Sequence, residues 1–318
     1  MTQFSPPGPL SRESVAENLD SMLASLLACG LDPAKTLLFQ QSRAGPFHCQ
    51  LAWLLGCMST VQQLRNMKQY REKLRAAGGS EDAWTGSTVG LLTYPLLQAA
   101  DILIHKANLV PVGKDQWQHL LLAQKLSQHF NSAYEVDYFP KPQTITGAVV
   151  KVKSLREPTT KMSKSSASDL GRLNLSDSDD DIAAKCKRAV TDTFGPSVTL
   201  DADKRPGLAN LLALYAACSG QTVESAALDC ATLNTVQLKT RAAVWEPAPP
   251  LTCSACTPNG GRVAEALISR LAPIRRRYVE LLEDRHQLRR SLDRGNEQAA
   301  ASAERHLREI GQIVGFER

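Results

Sequence analysis

One alternation constrains the fold more than anything else in this chain. The apolar stretch "LLTYPLLQAADILI" (91–104) has the length and periodicity of a helix. "NLVPVG" (108–113) reads as a short strand ending in glycine, and "QWQHLLLAQKLSQHF" (116–130) as a second helix with Trp117, Leu120 and Leu121 on one face. Pro95 is expected in the first turn of its helix, where its missing N–H costs nothing. Upstream, residues 11–29 read as a helix capped by Ser11, with Glu13 in its first turn and Gly30 as its stop. "TLLFQQ" (36–41) is a strand candidate, 48–76 is helical, and 81–88 is a loop. Helices alternating with strands point to an α/β domain around a parallel sheet.

The alternation stops after about residue 170. The remainder is helical, with spans expected at 180–190, 207–219, 221–232, 235–244, 261–293 and 297–314. The first of these starts with aspartates and ends with lysine and arginine, which suits the helix dipole. Leu271, Ile274, Tyr278 and Leu281 form an apolar stripe at helical spacing. The stretch 245–261, "WEPAPPLTCSACTPNGG", breaks the pattern and has the composition of a disordered insert.

At 318 residues and 43% hydrophobic composition, the chain can bury a core without disulfides or metals. No apolar run approaches the roughly 20 residues of a membrane span. The opening "MTQFSPPGPLSRESVAENLD" lacks an apolar signal core, and its three acidic residues make it a poor transit peptide. Most of the eight cysteines lie in apolar helical patterns and are expected to be buried free thiols. Cys253 and Cys256 have ligand spacing, but no second pair or histidine lies near them to complete a zinc site. The net charge of +5 is compatible with a polyanionic partner without requiring one.

Three stretches carry possible chemistry. In the first helix Tyr94, Gln98 and Asp101 fall at i, i+4 and i+7, and Asp101 is the only charge between Leu91 and Ile104. Such a row lines a pocket, meets solvent, or has Asp101 paired with a structural partner, and spacing alone does not choose. In "VPVGKDQWQH" the strand runs into Gly113, and Asp115 and Gln116 open a helix at the carboxyl edge of the sheet, where ligands of parallel sheets bind. An ordinary capped strand-to-helix turn has the same appearance. The third, "REPTTKMSKSSASDL" (156–170), sets Lys161 and Lys164 among serines and threonines with little to bury. It reads as a mobile surface loop, either a clamp for polyphosphate or merely soluble.

Together the three resemble the tryptophanyl-tRNA synthetase family of class I aminoacyl-tRNA synthetases. "KMSKS" (161–165) is similar to the class I signature loop, "TYPLLQAADIL" to the family's amino-acid helix, and "VPVGKDQWQH" to its G-x-D-Q turn. "LACGLDPAKTLLFQQS" (28–42) and "KRAVTD" (187–192) resemble the bacterial and mitochondrial branch. The likeness covers most of residues 11–244 and returns over 262–316. It implies a Rossmann-like catalytic domain (1–171) and an all-helical anticodon-binding domain (172–318).

The resemblance also implies roles. Asp101 would accept the indole N–H of L-tryptophan, with Tyr94, Gln98, Val112 and Gln116 lining the same pocket. Gly113, Lys114, Asp115 and the backbone of Val152 would contact ATP. Lys161, Met162, Ser163, Lys164 and Ser165 would close on the triphosphate, Lys161 and Lys164 as the catalytic pair and Mg²⁺ helping. The partners implied are tRNA(Trp) and a second copy of the chain, with no DNA and no membrane. Arginines at 275–277, 285, 289, 290 and 294 would suit an RNA-facing surface. The compartment implied is the mitochondrial matrix, with the cytoplasm as the alternative.

The chain departs from the family pattern in three places. None of His48, His105, His119, His129, His286 and His306 lies in the H-x-G-H context that class I enzymes use on ATP phosphates. The strands and helix that carry this motif are not found ahead of "LACG", so the expectation is an N-terminally truncated, incomplete catalytic domain. Unpaired interior backbone groups at about 1–3 kcal/mol each would weigh against a total stability of about 5–15 kcal/mol. The other departures are the 245–261 insert and Lys114, where the family usually has an acidic residue.

Overall fold

A computed structural model describes residues 12–76, 87–145, 152–163, 168–192, 197–240 and 262–316. Its contacts divide the chain into two compact units. The first comprises residues 1–23, 30–148 and 284–318, and the second 24–29 and 149–283. The chain thus leaves the first unit at 148/149 and returns to it at 283/284, where the sequence suggested one boundary near 171.

In the first unit, α1 (Arg12–Ala28) is followed by α2 (Phe47–Cys57), α3 (Val61–Arg65), α4 (Lys68–Ala76), α5 (Val89–Leu103) and α6 (Trp117–Ala133). Only α1 as far as Leu23 belongs to this unit. Strands β1 (Leu109–Pro111) and β2 (Gln143–Ile145) pair in parallel, Leu109 opposite Gln143 and Pro111 opposite Ile145. The expected α/β alternation and parallel pairing are therefore present, in a sheet that has two strands among the described residues. The helix expected over 48–76 is three helices. Thr60 and Gln63 form a reciprocal capping box that starts α3 afresh.

Helix α5 begins at Thr88, whose hydroxyl accepts the Leu91 N–H at 3.1 Å. Leu91, Leu96, Ala99, Ala100 and Leu103 are buried at helical spacing and share a core with Leu51 and Leu55 of α2 and Leu120, Ala123 and Phe130 of α6. Pro95 lies in the second turn of α5, not the first, because Thr88 starts the helix two residues earlier than expected. On α6 the buried face is His119, Leu120, Leu122, Ala123, Leu126, Ser127 and Phe130. Trp117 is not part of it and stands 56% exposed.

The strand expected at 36–41 does not form. Residues 37–40 are outside any strand and lead into a 3-10 turn at Gln41–Arg43. Their polar backbone is met by helix α13 (Asp293–Val314) instead, where Asn296 accepts the Gln40 N–H at 2.8 Å. The Leu38 carbonyl lies so close to Gly295 that a Cβ there would sit 1.9 Å from it. Farther along α13, His306 Nδ1 donates to the Ile104 carbonyl at 2.6 Å. Tyr138 donates to Glu309 at 2.8 Å. Helix α12 (Arg285–Arg290) adds a two-pronged ion pair from Arg289 to the buried Asp20 of α1.

The second unit holds α7 (Asp179–Lys187), α8 (Pro206–Ser219), α9 (Val223–Asp229), α10 (Thr235–Lys239) and α11 (Arg262–Glu283). Its core joins Ile182, Cys186, Leu208, Leu211, Leu212, Val263 and Leu267. The α11 stripe is only half-buried, and of it Leu271 alone packs on this core. Lys185, 5% exposed, sits between Asp177 at 2.7 Å and Asp169 at 2.6 Å. Arg275 adds bonds to the Asp177 carbonyl and the Asp179 carboxylate.

Two expectations about side chains change. Cys29, Cys49 and Cys57 are exposed, and of the six described thiols only Cys186 and Cys230 are fully buried. Of the arginines read as an RNA face, Arg275, Arg277, Arg285 and Arg289 are engaged with carboxylates, while Arg276, Arg290 and Arg294 are exposed. Ser11, the 245–261 stretch with Cys253 and Cys256, and most of the 81–88 loop lie outside the described residues. No helix among the described residues is long and apolar enough to cross a membrane.

Candidate active site

The polar face of α5 does line up. Tyr94, Gln98 and Asp101 are all half-buried. Tyr94 donates toward Gln69 Oε1 at 3.1 Å and lies 3.1 Å from His119 Nε2. Gln98 donates weakly to Gln116 Oε1 at 3.4 Å. One turn farther on, Asp101 accepts from Gln41 Nε2 at 2.5 Å. Burial pushes the Asp101 carboxyl up to about 6, and the Gln41 hydrogen bond restrains the rise. Burial likewise pushes the Tyr94 phenol up to about 12.

The turn after β1 meets this face. The Val112 N–H extends the strand pairing to the Ile145 carbonyl at 3.3 Å. Gly113 follows with an ordinary negative φ of −68°, so its backbone does not demand glycine. A Cβ there would stand 2.6 Å from Asp115 Oδ1, so a side chain at 113 would press that carboxylate to turn. A 3-10 turn over Lys114–Gln116 then leads into α6. The Asp115 carboxylate accepts from Gln116 Nε2 at 2.9 Å and from Gln69 Nε2 at 3.2 Å. Gln116 Oε1 faces His119 Nδ1 at 3.0 Å.

These bonds close a ring through Asp115, Gln116, His119, Tyr94 and Gln69. Four residues beside this face were not singled out by the sequence: Gln69, Lys73, His119 and Gln41. Lys73 places its ammonium 4.6 Å from the centre of the Tyr94 ring. Burial lowers the pKa of Lys73. Burial first, then the Lys73 charge, lowers His119, against a weaker opposite pull from Asp115. The signal for His119 was available, since "QWQH" puts it one turn after Gln116. Gln69 and Lys73 lie in the charged run "KQYREK", where nothing distinguishes them from solvated residues.

The lysine loop belongs to the second unit. Lys153 and Lys161 form an antiparallel bridge, and the Met162 N–H donates to the Val152 carbonyl at 3.2 Å. Asn210 of α8 bonds both ways with the Lys153 backbone at 2.9 Å, imitating a neighbouring strand. Ser154 Oγ accepts the N–H groups of Arg156 and Glu157. The first half of the loop is thus a held hairpin, not the free loop that its composition suggested. Lys161 and Ser163 are exposed at its end, while the Met162 side chain packs on the core of this unit. Lys164 and Ser165 lie outside the described residues, as does the side chain of Lys114. Among the described residues no three or more His, Cys, Asp or Glu side chains gather to hold a metal ion.

A parallel strand running into a glycine and an aspartate, a polar helix face beside it, and a K-M-S hairpin are parts of a class I aminoacyl-tRNA synthetase. Residues 4–245 match the family described as tRNA synthetases class I (W and Y), and the chain belongs to that family. It is 39% identical to the mitochondrial tryptophan–tRNA ligase of Caenorhabditis elegans over 97% of this chain and 78% of that protein. It is 37% identical to the tryptophan–tRNA ligase of Thermosynechococcus vestitus, over 97% and 86%. Among solved structures, the tryptophanyl-tRNA synthetase of Mycoplasma pneumoniae superposes with a TM-score of 0.77 at 27% identity, covering 96% of this chain and 84% of that one.

Proposed function

We propose that this chain is a tryptophan–tRNA ligase subunit that activates L-tryptophan with ATP and passes it to tRNA(Trp). The observation that carries the reading is the half-buried Asp101 on the same face of α5 as Tyr94 and Gln98, in a chain whose relatives are named tryptophan–tRNA ligases. Indole offers one N–H donor and no acceptor, and an ionised carboxylate is its natural partner. Val112 and Gln116 complete the pocket.

In the reaction a tryptophan carboxylate oxygen attacks the α-phosphorus of ATP. The bond from that phosphorus to the α–β bridging oxygen breaks, and pyrophosphate leaves with the electron pair. Mg²⁺ enters with the nucleotide as part of the substrate. Gly113, Lys114, Asp115 and the Val152 backbone contact the nucleotide. Lys161 and Lys164, with Met162, Ser163 and Ser165 between and beside them, neutralise charge on the departing pyrophosphate. The adenylate then acylates tRNA(Trp), held by the helical region after residue 171, and two copies pair as a homodimer. The mitochondrial matrix is the compartment we favour, because one of the relatives just described is mitochondrial.

These 318 residues contain no H-x-G-H sequence, and this favours a second reading for the chain taken by itself. On that reading it activates tryptophan weakly and serves as a tRNA- or dimer-binding protein. Tryptophan-dependent ATP–pyrophosphate exchange, with filter binding of tRNA(Trp), separates the two. Slow exchange with retained tRNA binding is expected. Robust exchange that disappears in Lys164→Ala would overturn the weak-activity reading, and loss of both exchange and tRNA binding would overturn both readings.

A further inference from the structure

Asp115 is the fixed point of the ring of hydrogen bonds, because a carboxylate only accepts. It receives the side-chain amides of Gln116 and Gln69, the latter also held by the Asp115 backbone carbonyl at 3.0 Å, and so helps orient both. Each amide must then turn its oxygen the other way, Gln116 toward His119 Nδ1 and Gln69 toward the Tyr94 hydroxyl. An oxygen facing Nδ1 requires the proton there. In a neutral imidazole Nε2 is then a bare acceptor, and it faces the same Tyr94 hydroxyl. Gln69 Oε1 and His119 Nε2 thus share a single hydroxyl proton. His119 is 1% exposed, and its ring meets that of Tyr94 edge-on at 5.3 Å.

We infer that His119 is a positioning residue of this pocket. Held as the Nδ1–H tautomer through Gln116 and Asp115, it sets the direction of the Gln116 amide and the Tyr94 hydroxyl. It also leaves the ring short of one donor, which a ligand must bring. This rests on the tryptophan pocket proposed above. Tyr94 and Asp101 are seven residues apart, or roughly 10 Å along the helix, so an indole at Asp101 turns the polar end of its ligand toward Tyr94. An ammonium group against Gln69 Oε1 supplies the missing donor and leaves the Tyr94 hydroxyl free to donate its hydrogen bond to His119 Nε2.

The test uses the full chain. Nitrogen-15 NMR of the histidine rings at pH 8 is expected to show His119 as the Nδ1–H tautomer, and an Nε2–H tautomer would overturn the inference. Calorimetry then compares L-tryptophan with indole-3-propionate, which lacks the ammonium. His119→Leu is expected to weaken L-tryptophan about tenfold, the scale of one lost hydrogen bond, while changing indole-3-propionate less than about twofold. His119→Asn, which can offer an amide N–H near the Nδ1 position, recovers most of the loss. Equal weakening of both ligands, or none, would overturn the inference, with thermal melts checking that each variant folds. If the wild-type chain binds neither ligand, the pocket reading fails and the tautomer alone decides the role of His119.

Discussion

Two polar clusters, one in each unit, are held together in opposite ways. In the second unit full charges lock against one another, with Lys185 between Asp177 and Asp169 and Arg275 across Asp177 and Asp179. In the first, the ring around His119 is mostly neutral, built from two amides, a phenol and an imidazole anchored on one carboxylate. An ion pair removed from water resists rearrangement, because separating its partners strands a charge. Amides and hydroxyls exchange donors and acceptors at small cost. The charged lock suits a scaffold, and the neutral ring suits a pocket that must accept and release a ligand.

The sharpest way to break this contrast is Lys185→Ala. It leaves the buried Asp177 without its cation, and a loss of about 3–5 kcal/mol is expected in urea unfolding. A loss under about 1 kcal/mol would show that the lock carries little. Asp101→Ala should act on binding instead. We expect L-tryptophan affinity to fall about 10- to 100-fold by calorimetry, the range for a hydrogen bond to a charged acceptor. Unchanged affinity would remove Asp101 from the pocket.

Gly295→Ala probes the rigid point of the first unit, which depends on close packing and not on charge. The added methyl must displace the Leu38 carbonyl, and about 1–3 kcal/mol of destabilisation is expected on thermal melting.

The smallest effect concerns pH. The Asp101 carboxyl is raised to about 6 in the folded chain, above its ordinary value of 3.8. The folded state therefore binds this proton more tightly than the unfolded chain, and stability on this account falls as pH rises through about 4 to 6. Asp101→Asn should stabilise the chain by about 1 kcal/mol at pH 8, with the advantage fading as pH falls below 6. An advantage independent of pH would assign the gain to packing.

The sequence disclosed the polar face of α5 and the turn beside it better than the frame around them. Tyr94, Gln98 and Asp101 could be placed on one face because helical spacing is a local property, and Gln116 followed from a strand that ends in glycine. Residues 36–41 look like a strand, but strands depend on partners that a local pattern does not contain. Here their backbone is met by Asn296, some 256 positions away. Trp117 illustrates the same limit, since its apolar character says nothing of which way the first turn of α6 faces. Gln69 and Lys73 were hidden for the opposite reason. Their residue types are ordinary on a solvated helix, and only the fold brings them to Tyr94.

The clasp between residues 37–40 and α13 also bears on how the protein is made. Its two sides are 256 positions apart along the chain, and Asp20 and Arg289 are 269 apart. Contacts of such sequence separation form late and slow a fold. Apart from the tail of α1, the second unit is one continuous stretch, 149–283, and can be complete while α12 and α13 are still inside the ribosome. The first unit must wait for them, leaving the face of α2 that packs on α13 uncovered until α13 emerges. During translation this early-made, late-closed half is where a chaperone or a protease has its opportunity.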